Sequence, residues 1–124
     1  MILVDSDVLI AHLRGDERAH AWLGAARREG DLLTSVVTVA EITGGMRSAE
    51  RRPVSQLLSM LHPIPITELI ARQAGDLMRR YRRSHSGIGL GDYLIAATAQ
   101  TQSLELATLN VRHFPMFAGL TPPF

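Results

Sequence analysis

Residues 1–10 read MILVDSDVLI, an apolar run that is followed at once by acidic residues. Residues 2–4 contain no polar side chain, as is typical of a strand that is covered on both faces in a parallel sheet. Asp5 comes directly after them, and Ser6 or Asp7 can cap the helical pattern that begins next. The stretch therefore predicts a buried parallel strand that leads into a helix, with carboxylates at its carboxyl end.

The alternation of short apolar runs with helical patterns continues along the chain. Residues 32–35 and 104–108 are predicted as further strands, and residues 64–66, interrupted by a proline, as a short edge strand. Helical patterns cover residues 8–13, 19–28, 38–46, 54–61, 68–81 and 92–102. Strands that alternate with helices indicate βαβ units. We expect one α/β domain over residues 1–124, with a mostly parallel central sheet and helices on both faces.

Composition excludes several classes of function. The 124 residues are 46% hydrophobic and 20% charged, which allows a packed core. The absence of cysteine excludes a disulfide scaffold, a thiolate zinc site and a cysteine nucleophile. All 13 basic residues are arginines, so mechanisms that need a lysine, such as P-loop phosphate binding, are excluded as well. No segment resembles a signal peptide or a membrane span, and we expect a cytoplasmic protein without membrane contacts.

Three acidic residues lie next to apolar segments. Asp5 follows the first strand, Glu41 has apolar neighbours on both sides, and Asp92 opens the most apolar helix. Buried carboxylates are unfavourable unless they are paired or bound to a cation. Ligands of open α/β sheets bind beyond the carboxyl ends of the strands, and Asn110 follows the last strand there. We therefore expect these four side chains to meet in one pocket that binds Mg²⁺ or Mn²⁺, which prefer oxygen ligands.

Each acid also has a purely structural explanation. Asp5 or Asp7 can cap the first helix, and Asp92 can cap its own helix and interact favourably with the helix dipole. Glu41 can form a salt bridge with Arg47 or another arginine. Capping does not explain Glu41, however, and the joint pattern favours a metal site.

Four segments of the chain resemble the motifs of PIN-domain ribonucleases. They are residues 3–10 (LVDSDVLI), 35–42 (SVVTVAEI), 91–99 (GDYLIAATA) and 106–114 (LATLNVRHF). Their order and spacing match along essentially the whole chain, and their wording most resembles the VapC toxins of bacterial toxin–antitoxin pairs. The resemblance implies a PIN-like three-layer α/β fold and a Mg²⁺- or Mn²⁺-dependent endoribonuclease. It also implies three partners, namely an RNA substrate, a small antitoxin protein and a second copy of the chain in a homodimer.

The resemblance also implies which residues form the site. It carries over Asp5, Glu41 and Asp92 as catalytic, metal-binding acids. The fourth position of the family is commonly an aspartate and is Asn110 here, which can offer a carbonyl oxygen but adds no charge. Asp7 lies close enough to Asp5 in the sequence to supply a replacement carboxylate, so we include it among the metal-binding residues. Whether one or two metal ions bind is left open by this change.

Other polar residues have less specific interpretations. The hydroxyl of Thr108 either orients Asn110 or Asp5 or belongs to an ordinary strand residue. The arginines before the third motif and one arginine of the fourth are predicted to contact RNA phosphates, although a solvated helix end explains most of them equally well. These residues are Arg79, Arg80, Arg82, Arg83 and Arg112. The five histidines fit no nucleophile pattern and are interpreted as surface or helix-end residues.

Two other functions are compatible with parts of the sequence. The segment from Asp5 to Asp7 also resembles the opening of haloacid-dehalogenase-type phosphatases, but those enzymes usually use a lysine, which this chain lacks. A non-catalytic module that binds RNA or an antitoxin is the other alternative, since Asn110 removes the fourth acid. Trapping of an aspartyl-phosphate would favour the phosphatase, and single-turnover RNA cleavage separates the nuclease from the binding module.

Overall fold

The predicted alternation of strands and helices is present in the computed structural model, which describes residues 1–124. The elements follow one another as β1 (Ile2–Val4), α1 (Ser6–Leu13), α2 (Glu17–Glu29), β2 (Leu32–Ser35), α3 (Val36–Gly45), α4 (Arg51–Leu58), β3 (His62–Ile64), α5 (Glu68–Tyr81), α6 (Leu90–Thr101) and β4 (Glu105–Ala107). Two short 3-10 turns cover Ser48–Glu50 and Val111–His113. None of the helices combines the length and the apolar character that crossing a bilayer requires.

The four strands form one parallel sheet in the order β3-β2-β1-β4. The chain builds outward from β1 to β3 and then returns to place β4 on the other side of β1. The strand order therefore changes direction between β1 and β4, which is where ligands bind in open α/β sheets. Val4 and Ala107 are register partners at the ends of these two strands. The residues that follow them, Asp5 and Thr108, consequently lie side by side at the edge of the sheet.

Helices cover both faces of the sheet, as a three-layer fold requires. Successive residues of a strand point to opposite faces. Leu3 packs with residues of α5 and α6, whereas Val4 packs with residues of α1, α2 and α4. The first core includes Ala74, Leu77, Ile95 and Phe114, and the second includes Leu9, Leu23, Val54 and Leu57. The α/β prediction is thus confirmed, with a sheet that is entirely parallel.

Helix α6 is buried in the way that its composition predicts. Ile95, Ala96 and Ala97 are each at most 1% exposed, because α6 packs against α5 and β4 in one shared core. Small side chains on this helix let α5 approach closely, and Gln73 and Gln100 join the two helices by an amide hydrogen bond of 2.8 Å. A rigid α6 fixes the position of Asp92 in its first turn.

Three details of the sequence prediction are wrong. Helix α1 begins at Ser6, two residues before the predicted start, because Asp5 caps it directly after the strand. Helix α6 begins at Leu90, two residues before the predicted start, because the Asp92 carboxylate accepts a hydrogen bond from the backbone N–H of Gly89 and closes the first turn. The edge strand ends at Ile64 and does not extend to residue 66.

Candidate active site

A buried hydroxyl organises the acidic residues at the ends of β1 and β4. Thr108 is 0% exposed, and its Oγ1 lies 2.8 Å from Asp5 Oδ2 and 3.2 Å from Asp7 Oδ2. The same oxygen accepts a hydrogen bond of 3.0 Å from the backbone N–H of Asn110. A hydroxyl has one hydrogen to donate, so it binds one carboxylate at a time, and the shorter distance favours Asp5. The interpretation of Thr108 as an orienting residue is therefore confirmed.

Asp7 joins the first turn of α1 to the chain beyond β4. Its two carboxylate oxygens lie 3.2 and 3.1 Å from the backbone nitrogen of Leu109, which donates to them. This contact holds together two segments that are about 100 residues apart in sequence. Asp7 is thus fixed beside Asp5, as the sequence analysis expects.

Asp5 is the most deeply buried acid of the cluster, with 4% of its surface exposed. Burial raises its pKa from an ordinary value of 3.8 to about 7, and the negative charges of Asp7 and, more weakly, Asp92 act in the same direction. Hydrogen bonds from Thr108 and from the Ser6 backbone oppose the rise without cancelling it. Without a positive partner, Asp5 therefore carries only part of its charge at neutral pH.

Glu41 approaches the cluster from the side of α3. Although the residue is exposed, partial burial of its carboxyl group raises its pKa, and the charges of Asp92 and Asp7 add to this effect. Glu41 forms no salt bridge, and the carboxylate of Glu50 binds the backbone N–H of Arg47 at 2.8 Å. The structural explanation of Glu41 as the partner of Arg47 is therefore wrong.

A groove of about 540 Å³ opens next to Glu41 and was not foreseen from the sequence. Its walls come from α1, α3 and the start of α4, with Ile10, Leu13 and Met46 as apolar lining and Arg14 and Arg47 as charged lining. Because these residues lie on separate helices, no local pattern in the sequence brings them together.

Asp92 makes its hydrogen bonds through only one of its two carboxylate oxygens. Its Oδ2 accepts from the Gly89 backbone at 3.2 Å and lies 3.0 Å from Nδ1 of His113. That ring nitrogen is also 2.8 Å from Nδ2 of Asn110. The prediction that Asp92 caps its own helix is correct, since it accepts from Gly89. His113 contacts Asp92 and is therefore not merely a helix-end residue. The spacing of three residues between Asn110 and His113 is the one signal in the sequence that could have linked them.

Four acids of the predicted site lie near one another, and Asn110 differs. Asp5, Asp7, Glu41 and Asp92 are close enough to shift one another's ionisation or to share hydrogen-bond donors. The side chain of Asn110 is directed to His113 instead. No three His, Asp or Glu side chains are spaced to hold a metal ion together in this arrangement. The carboxylates of Asp5, Asp7 and Asp92 instead contact hydrogen-bond donors of the chain itself.

The predicted RNA-binding arginines are all exposed, and none forms a salt bridge. Arg79 and Arg80 border a shallow cavity of about 290 Å³, and the guanidinium of Arg80 lies 5.5 Å from the ring centre of Tyr81. Helix α5 ends where the loop to α6 begins, so its last turn lies on the side of the molecule that carries Asp92. Arg112 is next to His113 in the 3-10 turn.

Comparison with known proteins gives similarity over the whole chain. Residues 2–119 match the family model of the PIN domain. The chain is 68% identical over 124 residues to Ribonuclease VapC10 of Mycobacterium tuberculosis, which covers 100% of this chain and 93% of that protein. Ribonuclease VapC19 of the same species is 42% identical over 125 residues, with 100% of both chains covered. A solved toxin–antitoxin complex from Klebsiella pneumoniae contains a chain that is similar with a TM-score of 0.82 and 28% identity, over 100% of this chain and 98% of that one.

The burial of Asp5 predicts that Asp5→Asn stabilises the metal-free protein. Asp5 ionises more readily in the unfolded chain than in the folded one. The free-energy cost of its charge in the folded wild type is therefore absent below pH 3.8, grows up to about pH 7 and is constant above that pH. Since one pKa unit corresponds to ~1.4 kcal/mol, the variant should gain on the order of 2–4 kcal/mol at pH 7.5. Thermal unfolding in EDTA measures this gain, which should be smaller at pH 5 than at pH 7.5.

The matched control is Asp31→Asn, since Asp31 is exposed at the amino end of β2, on the opposite edge of the sheet. It should leave the Tm unchanged at both pH values. Equal or lower stability of the Asp5→Asn protein at pH 7.5 would contradict the assignment of a strained, buried carboxylate.

Proposed function

The chain belongs to the PIN-domain family, and on that premise we propose that it is a metal-dependent endoribonuclease, the toxin of a type II toxin–antitoxin system. It would hydrolyse phosphodiester bonds of RNA with Mg²⁺ or Mn²⁺. The names of its relatives support the activity, because both mycobacterial proteins are ribonucleases, and the Klebsiella complex supports the toxin–antitoxin assignment.

The observation that carries this proposal is the crowding of carboxylates around the buried Asp5. No arginine or histidine forms a salt bridge with Asp5, Asp7 or Glu41. Negative charge that is concentrated without a positive partner raises the free energy of the folded chain. Such an arrangement is understandable where a cation is bound during function, since enzymes often tolerate an unstable site for the sake of activity.

The donor chemistry of the cluster suits a hard divalent cation. Asp5, Asp7, Glu41 and Asp92 offer carboxylate oxygens, which Mg²⁺ and Mn²⁺ prefer. Asp5, Glu41 and Asp92 would hold the ion, with Asp7 as an additional carboxylate, and binding would draw together side chains that now contact separate donors. Asn110 would join this set only if its amide left His113. When bound, a divalent cation supplies an activated water and neutralises the charge that develops in phosphodiester hydrolysis.

The residues of the chain itself orient the site and admit the substrate. Hydrogen bonds from Ser6 and Thr108 fix both oxygens of Asp5, and the Leu109 backbone fixes Asp7. Four carboxylates alone repel a phosphodiester, so attraction of RNA falls to the exposed arginines. The net charge of the chain is only +1, and this attraction is therefore local to the patch formed by Arg79, Arg80, Arg82, Arg83 and Arg112.

Two protein partners belong to the proposal. A small antitoxin would cover the acidic cluster, and the groove beside Glu41 offers the mixture of apolar and charged side chains that such a contact needs. Helix α4 and the segment after β4 contribute Val54, Leu57 and Phe114 to the core, so these apolar residues are not available for such contacts. A homodimer is supported by Val36 and Leu90, which are exposed apolar residues in the first turns of α3 and α6. We further propose that the protein acts in the cytoplasm, where RNA is found.

Asp92→Asn should lower metal-dependent RNA cleavage by ~100-fold or more, because one charged ligand is lost at the reacting phosphate. The fold should persist, since the amide oxygen can still accept from the Gly89 backbone. Single-turnover incubation of total bacterial RNA with Mn²⁺, followed by mapping of new 5′ ends, measures the loss.

Two controls accompany this experiment. Asp31→Asn should cleave at the wild-type rate, and EDTA should stop cleavage by the wild type. If Asp5→Asn and Asp92→Asn both cleave at the wild-type rate while the metal is still required, the assignment of the acids is wrong.

The arginine patch predicts a change in the salt dependence of RNA binding. Each phosphate contact contributes ~0.7 to the slope of log affinity against log salt for single strands. Stepwise Arg→Gln changes at 79, 80, 82 and 83 should flatten the slope progressively, measured in the Asp92→Asn background to prevent cleavage. Arg28→Gln, at the exposed end of α2 near the amino edge of the sheet, should leave it unchanged. A slope that stays constant through the series would exclude this patch as the RNA contact.

A further inference from the structure

His113 is held firmly in place beside the acidic cluster. It ends the 3-10 turn after β4, and its ring is 33% exposed. The next residue, Phe114, is 1% exposed and belongs to the core between the sheet and α5. The backbone at His113 is therefore anchored by its neighbour, and its ring cannot leave Asp92 without a change of rotamer.

The hydrogen bonds of Asp92 divide its two oxygens into different roles. Oδ2 contacts the Gly89 backbone at 3.2 Å and His113 Nδ1 at 3.0 Å, whereas Oδ1 has no hydrogen-bond partner and is not buried. Two donors on one oxygen fix the carboxylate plane. The unbound oxygen is thereby left for a ligand, and Asp5 and Glu41 lie near enough for the charge of Asp92 to raise their pKa values.

All of the polar contacts of the His113 ring are made through one nitrogen. Nδ1 faces Asp92 and Asn110, while Nε2 has no partner. A ring nitrogen either donates or accepts, and a lone pair at 3.0 Å from a carboxylate oxygen would be repelled. The tautomer with hydrogen on Nδ1 is therefore the one that suits Asp92, and the Asn110 amide can share this contact only when it is turned to present Oδ1, because an NH₂ group cannot accept. The backbone carbonyl of Asn110 also accepts a hydrogen bond of 3.0 Å from the His113 N–H, which holds the turn that carries the ring.

We propose that His113 is a positioning residue of the proposed ribonuclease, one that orients Asp92 for the divalent cation through Nδ1. The inference rests on the proposed function. It assigns to His113 a role next to position 110, where a fourth acid is commonly found in the family. His113 touches neither the cation nor the RNA in this role, and its effect passes entirely through Asp92.

Isosteric variants test this role, because only one ring nitrogen is used. The amide nitrogen in His113→Asn stands as many bonds from Cα as Nδ1 does, whereas in His113→Gln it stands where Nε2 was. Partners of metal-binding side chains typically change metal affinity by ~10–100-fold when removed. We expect His113→Gln and His113→Ala to bind Mn²⁺ at least ~10-fold more weakly than the wild type, and His113→Asn to stay within ~3-fold.

Titration calorimetry with Mn²⁺ in the absence of RNA gives the affinities, and thermal unfolding in EDTA verifies that the variants fold alike. His62→Gln serves as the control, since His62 is exposed on the edge strand and makes no side-chain hydrogen bond; it should bind Mn²⁺ as the wild type does. RNA cleavage should follow the same order as Mn²⁺ affinity.

Equal Mn²⁺ affinity of the Asn and Gln variants would overturn the proposal, whether both resemble the wild type or both are weakened. Failure of the proposed function gives a different result. A wild-type protein that binds Mn²⁺ but cuts no RNA would contradict the nuclease, while the ratio of the two affinities would still decide the role of His113.

Discussion

Negative charge crowded at the carboxyl ends of β1 and β4 is the constraint on which the rest of the site depends. Asp5 is buried there next to Asp7, and its pKa rises to about 7 because neither solvent nor a cationic side chain compensates its charge. Hydrogen-bond donors of the chain hold the acids in their positions. Thr108 and the Leu109 backbone hold the pair on the sheet, while Gly89 and His113 hold Asp92 opposite.

The fold creates this crowding through its topology. Parallel strands end at one edge, and the change of strand order between β1 and β4 leaves a crevice that no crossover covers. Apolar residues on both faces, such as Leu3 and Val4, fix the two strands in register, so Asp5 and Thr108 cannot separate without loss of the core. The stability of two hydrophobic layers thus supports a site that is itself destabilising.

The sequence predicts the parts of this arrangement that depend on local pattern. The apolar run before Asp5, the periodicity of α5 and the order of the four motifs are sufficient to predict the fold class and that the acids lie near one another. It does not predict contacts between distant segments. The ring of His113 reaches Asp92 across 21 positions, and the groove beside Glu41 is assembled from three helices. The sequence also does not predict the exact start of α6. Gly89 is the N-cap, and Asp92, the predicted first residue, lies inside the first turn and binds back to Gly89.

The central claim is that the four carboxylates form one site for a divalent cation, and anomalous diffraction from a crystal grown with Mn²⁺ tests it most directly. The account predicts an anomalous peak bounded by Asp5, Glu41 and Asp92, with Asp92 bound through Oδ1 and its other oxygen still at His113. A crystal saturated with Mn²⁺ that shows no peak at the ends of β1 and β4, or a peak elsewhere only, would contradict it.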